Sequence, residues 1–250
     1  MNLIKKTLLK IPTKKTLKTL QDFKSKSKND SCLIIGNGPS LNELNFDYIK
    51  KEIDIYATNR TIFHPKFNTL KNVIYCISDN EMLFSKKNLN TIKKIYDSSS
   101  IKNIVVPSSW YYYDFFNKSP KLLYLNYIRN ESIAEFGFVK DINIGVRTGN
   151  TVVLDFCIPI AIALNYKNIY MIGCDFNYSK NSNKYFYGKP VSNQNLHESI
   201  DRDQWIDDVR LAFKIISSSE ISNTNIYNFN SKSTNDIIPN YNLNEVYNNI

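Results

Sequence analysis

Gly36-Asn37-Gly38-Pro39-Ser40 comes directly after the apolar run Cys32-Leu33-Ile34-Ile35 and precedes a helix candidate at residues 40–51. A buried strand, a glycine turn and a helix start form the entry to many nucleotide-binding α/β domains. Glycines at 36 and 38 let backbone N–H groups approach a phosphate, and a helix N-terminus adds a favourable dipole. Ser40 is the expected N-cap, with Glu43 three residues on. The spacing is neither G-x-G-x-x-G nor a Walker loop, so the turn gains meaning only from the downstream strands, helices and polar clusters.

Outward from that turn, short apolar runs alternate with helical patterns. Strands are expected at residues 31–35, 53–58, 72–77, 101–106, 168–172 and 225–229, and helices at 40–51, 81–96, 150–164 and 201–218. Pro159 lies inside the third helix and should kink it near Asp155. The alternation predicts an α/β fold: a Rossmann-like, mostly parallel sheet with helices on both faces and a small lid. Ligands in such folds bind beyond the carboxyl ends of the strands. Residues 110–128 are crowded with aromatics and read as a core or interface helix, with an acceptor-binding platform as the alternative. Residues 177–197 are polar and carry several tyrosines, as a lid over a site would.

A chain of 250 residues can form one core, and 42% apolar with 22% charged residues is ordinary for a folded protein. The net charge of +9 is unevenly spread: residues 1–28 hold nine lysines and one aspartate, or +8, which leaves about +1 for the body. Residues 1–30 therefore read as a basic amphipathic arm suited to an anionic membrane surface, 31–230 as a nucleotide-binding domain with its lid at 177–197, and 231–250 as a tail. Deleting residues 1–28 is expected to leave a folded body. No apolar run is long enough to span a bilayer or serve as a signal peptide, so a cytoplasmic protein, peripheral on the inner face of the membrane, is expected. With no basic stripe on the body, nucleic acid is not expected as a partner; a homo-oligomer stays open. Cys32, Cys76, Cys157 and Cys174 all sit in apolar runs and read as buried thiols. His64 and His197 are the only histidines, which excludes a His-rich metal site.

Four further groups come after strands or before helices. Asn59 and Arg60 come after the second strand; the amide can read a nucleotide and the guanidinium can pair with phosphate or carboxylate. Thr148-Gly149-Asn150 supplies a turn and helix N–H groups for an anion. Asp175 stands at a strand tip, suited to ribose hydroxyls or a metal, but it is not part of a D-x-D pair. His197 comes after the lid and has the chemistry of a general base; Tyr178, Tyr185 and Tyr187 can donate to a departing phosphate.

Taken in order, G-N-G-P-S-L, the N-R after strand two, T-G-N-T before a helix ending A-I-A-L-N-Y-K-N-I-Y, M-I-G-C-D-F and a downstream His resemble the bacterial sialyltransferases that use CMP-sialic acid. They are equally similar to the domain of 6-hydroxymethylpterin diphosphokinase-like proteins and the motility-associated flagellin glycosyltransferases. The resemblance implies a metal-independent transferase with no cofactor beyond its CMP-sugar donor, and a surface glycan of capsule or lipopolysaccharide assembly as acceptor. It implies donor contacts from Gly36, Asn37, Gly38, Ser40, Asn59, Arg60, Thr148, Gly149, Asn150 and Asp175, phosphate contacts from Tyr185 and Tyr178, and His197 as base. Two departures stand out: a shorter lid, and Gly145 where the sialyltransferases carry an arginine, with Arg147 displaced. A diphosphokinase using ATP and magnesium through Asp79 and Asp175 is the alternative, and a non-catalytic glycan-assembly partner is the other.

Overall fold

In a computed structural model, seven strands form one parallel sheet. The structure describes residues 3–79, 82, 88–112, 119–175, 185–188, 202–218, 223–229, 241 and 247. The strands are β1 (Ser31–Ile35), β2 (Asp54–Thr58), β3 (Val73–Cys76), β4 (Ile101–Pro107), β5 (Leu122–Leu125), β8 (Asn168–Ile172) and β9 (Asn225–Asn228), in the order β5-β4-β3-β2-β1-β8-β9. Every neighbouring pair in this sheet is parallel. Two further strands, β6 (Tyr127–Ser132) and β7 (Val146–Thr148), make a small separate sheet.

Alternate residues of the strands face two different cores, as a sheet covered on both sides requires. Cys32 and Ile34 of β1 pack with Leu17 and Leu20 of α1 (Leu3–Ser27), Ile160 of α4 (Ile158–Ala163) and Phe213 of α5 (Arg202–Ile216). Leu33 and Ile35 pack on the other face with Leu41, Phe46, Phe67 and, from α2 (Leu89–Asp97), Ile92 and Ile95. The short α3 (Ile133–Phe136) comes after β6 and is capped by Ser132, whose hydroxyl accepts the Glu135 N–H. All four cysteines are buried free thiols.

Several expectations are corrected. Residues 40–51 are not one helix but two 3-10 turns, Pro39–Glu43 and Phe46–Tyr48, separated by extended Leu44. Asn45 causes the break: its side chain accepts the Asp47 N–H and starts the second turn. Ser40 does not cap; that position is held by Gly38, with no side-chain cap. Of the helix expected at 81–96, the regular part among the described residues is α2, Leu89–Asp97. The aromatic stretch is not one helix either. Trp110 is buried in a 3-10 turn (Ser108–Tyr112), and Leu122–Leu125 becomes the edge strand β5, paired in register with β4. Near Asp155 the expected kink takes the form of a π-turn, Val153–Cys157. Pro159 has no N–H to give the Asp155 carbonyl four residues back, which releases the backbone there.

The N-terminal helix is not detached from the body, so a boundary at residue 30 divides a packed unit. Thr16, 1% exposed, donates from Oγ1 to the Tyr124 carbonyl at 2.7 Å and accepts the Tyr124 N–H at 2.8 Å. One hydroxyl thus satisfies both outward groups of a residue on the sheet edge, the device by which edges are protected from pairing with another chain. Ser27 at the far end donates to Asp54 at 2.6 Å. Tail residues Tyr241 and Tyr247 touch the body: the Tyr241 N–H bonds the Asn228 carbonyl, and the Tyr247 hydroxyl accepts the Asn45 N–H. Among the described residues no helix is long and apolar enough to cross a membrane.

Candidate functional site

Strand order reverses between β1 and β8, so the crevice of this sheet opens beyond their carboxyl ends. The loops that leave β1 and β8 there are bound to each other. Gly36 N–H donates to the Ile172 carbonyl at 2.8 Å and Gly38 N–H to the Gly173 carbonyl at 2.7 Å. Ser40 Oγ accepts the Gly173 N–H at 3.0 Å, and Ser40 N–H points at both Asp175 carboxylate oxygens at 3.3 Å. A Cβ at Gly36 would lie 2.4 Å from the Gly173 carbonyl oxygen, and one at Gly38 would lie 1.7 Å from Asp175 Oδ2. Here the glycines serve the close approach of two loops. Their N–H groups are spent on β8 and its loop, which corrects the expectation of a phosphate cradle at this turn. Burial pushes the Asp175 pKa up, and its bonds from Ser40 oppose that rise.

Asn37 ties this loop to β2. Its Nδ2 donates to Thr58 Oγ1 at 3.0 Å and the Thr58 carbonyl at 3.3 Å, while its Oδ1 accepts the Arg60 N–H at 3.0 Å. Asn59 between them has φ 45°, a left-handed conformation that Asn tolerates better than most residues. Tyr75 holds that conformation by donating its hydroxyl to the Asn59 carbonyl at 2.6 Å. The Asn59 side-chain oxygen is buried without a partner among the described residues. Arg60 is half-buried and donates from Nη2 to Asn88 Oδ1 at 3.2 Å.

Residues 185–188 lie across the same loop. Phe186 N–H donates to the Asn37 carbonyl at 2.9 Å, and Asn42 Nδ2 donates to the Phe186 carbonyl at 3.0 Å. The Phe186 ring sits 5.5 Å from His64, which is stacked on Phe46. Tyr185 and Tyr187, on either side, stack on each other at 5.0 Å with their rings 5° apart. Tyr185 thus stands next to the residue that bonds the Asn37 loop. Tyr178 and His197 lie outside the described residues.

A second hub carries Thr148, Gly149 and Asn150. Asp155, buried on the π-turn, accepts four hydrogen bonds: Ser78 Oγ at 2.7 Å, Tyr127 OH at 3.0 Å, Gly149 N–H at 2.7 Å and Thr148 Oγ1 at 3.3 Å. Ser78 lies just past β3, so Asp155 pins the 148–150 turn over the carboxyl end of that strand. Asn150 has φ 65°, and its N–H returns to Thr148 Oγ1 at 3.1 Å. The Gly149 and Asn150 N–H groups are therefore committed within the turn, a second correction to the anion cradles expected from sequence. Thr151 supplies the cap, accepting the Leu154 N–H at 3.3 Å. Burial pushes the Asp155 pKa up to about 6, and the bonds it accepts oppose this. Asp155 is missing from the residues singled out by sequence; its signal there is a single carboxylate inside the apolar run 152–162.

Arg147 turns away from this hub to an ion pair with Glu131 at 2.8 Å and the Gly137 carbonyl at 3.0 Å. Arg129 donates to the Ser78 carbonyl at 2.8 Å. Asp79 is exposed, and among the described residues no group of three or more His, Cys, Asp or Glu is placed to hold a metal ion.

A parallel seven-stranded sheet, with the loops after β1 and β8 closed on each other where the strand order reverses, defines a Rossmann-like α/β protein. Residues 5–181 match the family described as 6-hydroxymethylpterin diphosphokinase MptE-like, and the chain belongs to that family. No curated protein sequence matches it. Its fold is similar to that of the Campylobacter jejuni sialyltransferase CstII solved with CMP-3FNeuAc, at 20% identity over 84% of this chain and 86% of that one, with a TM-score of 0.50. The monofunctional alpha-2,3-sialyltransferase Cst-I of the same organism matches at 19% identity over 85% of this chain and 80% of that one, with a TM-score of 0.45.

Proposed function

We propose that this chain is a glycosyltransferase that moves a sialic or other nonulosonic acid from a CMP-sugar to a glycan acceptor. The observation that carries the reading is Asn37. Its side chain joins the β1 loop to Asn59-Arg60, and its carbonyl holds residues 185–188, so donor-side groups and lid tyrosines meet at the switch point. The donor class is carried over from the CstII complex with CMP-3FNeuAc, whose fold this chain shares. In this reading His197 removes the acceptor hydroxyl proton as the anomeric bond to CMP breaks, and Tyr185 and Tyr178 donate to the leaving phosphate. Asn59, whose amide oxygen has no partner among the described residues, contacts the nucleotide or sugar; Thr148, Gly149 and Asn150 present side-chain and carbonyl groups to the cytidine. The acceptor belongs to capsule or lipopolysaccharide assembly, and lysines of α1 hold the protein to an anionic membrane surface.

CMP release from a panel of CMP-sugars in the presence of glycan acceptors tests this; no turnover across the panel contradicts it. A second reading is favoured by the family match: a diphosphokinase that uses ATP and magnesium. Incubation with ATP–Mg and a hydroxymethylpterin, scored by AMP release, is its direct test.

A further inference from the structure

Both glycine turns of the site have spent their N–H groups. Gly36 and Gly38 give theirs to β8 and its loop, and Gly149 and Asn150 give theirs within the Asp155 hub. Those four N–H groups are not offered to a negatively charged ligand at this crevice, and its cationic side chains are the next candidates. Arg60 stands at the carboxyl end of β2, its backbone fixed by Asn37 at 3.0 Å. Its guanidinium has one hydrogen-bond partner among the described residues, the neutral amide of Asn88, which is itself 4% exposed. No carboxylate among the described residues pairs with it. The Arg60 charge opposes the burial-driven rise of the Tyr187 pKa, which puts it in the electrostatic neighbourhood of the stacked tyrosines. A half-buried guanidinium, oriented by a buried amide and with most of its donors unused among the described residues, matches a planar oxyanion supplied from outside.

We propose that Arg60 is the oxyanion-binding residue of this site, taking either the phosphate of the nucleotide or the carboxylate of an acidic sugar. The proposal rests on the donor reading above for the identity of the ligand, and on the geometry alone for the role of Arg60.

Calorimetric titration of the full chain and of Arg60→Gln and Arg60→Lys, with cytidine, CMP, CMP-N-acetylneuraminic acid, adenosine and ATP–Mg as probes, tests it. If Arg60 takes the phosphate, wild type binds CMP more tightly than cytidine, and Arg60→Gln removes that difference through a loss of about 10- to 100-fold for CMP with cytidine unchanged. Arg60→Lys should fall between, because it keeps the charge without the fork. Equal losses for CMP and CMP-N-acetylneuraminic acid assign the phosphate. A loss confined to the acidic sugar nucleotide assigns the carboxylate. If wild type binds no cytidine nucleotide but binds ATP–Mg, the donor reading fails, and Arg60 is judged by the ATP-to-adenosine ratio in the same variants. Unchanged affinity for every anionic probe, equal loss for neutral and anionic probes, or no anionic probe bound by wild type, overturns the proposal. Circular dichroism melts of both variants separate these results from misfolding.

Discussion

Ser78 Oγ donates to Asp155 Oδ2 at 2.7 Å, and this one bond joins the end of β3 to the π-turn that carries the 148–150 turn. The carboxylate is buried, so its four bonds work in a low-dielectric setting where each lost partner is costly.

Asp155→Ala should destabilise the fold by about 3 kcal/mol, because the Gly149 N–H and the Ser78 and Tyr127 hydroxyls lose a buried acceptor. Urea unfolding checks it. The pH dependence has a definite sign. A carboxyl whose pKa is raised on folding, here from 3.8 to about 6, binds its proton more tightly when folded. Its contribution is full below about pH 4 and is lost as pH rises through about 6, an amount of roughly 2–3 kcal/mol. Wild type measured against Asp155→Asn should show this loss over that window; a difference flat in pH contradicts it.

Thr16→Val should cost about 2–3 kcal/mol, since it strands both the N–H and the carbonyl of Tyr124 at the sheet edge, while Thr16→Ser should be milder. Deleting residues 1–28 should prevent folding, because Leu17 and Leu20 leave the core. Deleting residues 1–13 should leave a folded chain with weaker binding to anionic vesicles, three lysines having been removed. Sedimentation with vesicles at rising salt reads the second effect, and thermal melts the first.

Much of this fold is legible in the chain. Val, Ile and Tyr runs bounded by polar turns mark six of the seven strands of the main sheet, and the polar clusters just past β1, β2 and β8 mark the loops that meet at the crevice. β5 is hidden because Leu122–Leu125 is embedded among aromatics whose spacing suits a helix equally well. The second 3-10 turn after Gly38 depends on Asn45, whose choice between helix surface and local cap is a matter of tertiary packing. The glycines mislead for the same reason: one that admits a phosphate and one that admits another loop look alike in sequence, and only the β8 carbonyls decide. Asp155 carries its signal openly, as a lone carboxylate among apolar neighbours, but its four partners come from segments that only the fold brings together.

Gly36→Ala should disrupt the junction of β1 and β8, because the new Cβ meets the Gly173 carbonyl at 2.4 Å, backbone that cannot swing away. A loss of about 2–4 kcal/mol is expected. A melting temperature equal to wild type contradicts the closed-loop geometry.

Phe186→Ala should leave global stability nearly unchanged but lower kcat/KM by about 10-fold, since the ring beside His64 anchors the segment that carries Tyr185 and Tyr187. Hydrogen exchange at the Phe186 amide, bonded to the Asn37 carbonyl, should speed up in the variant; unaltered exchange would remove the anchoring role.

The proposed reaction passes an acidic sugar from CMP to a glycan with His197 as the base. Mass spectrometry of a glycan acceptor incubated with CMP-N-acetylneuraminic acid, or with other CMP-activated nonulosonic acids, reads the transfer itself. An acceptor heavier by one acidic sugar residue is expected with wild type, and a rate lower by about 10²–10⁴-fold with His197→Ala. An acceptor unchanged in mass with every donor, alongside AMP release from ATP–Mg and a hydroxymethylpterin, would contradict it.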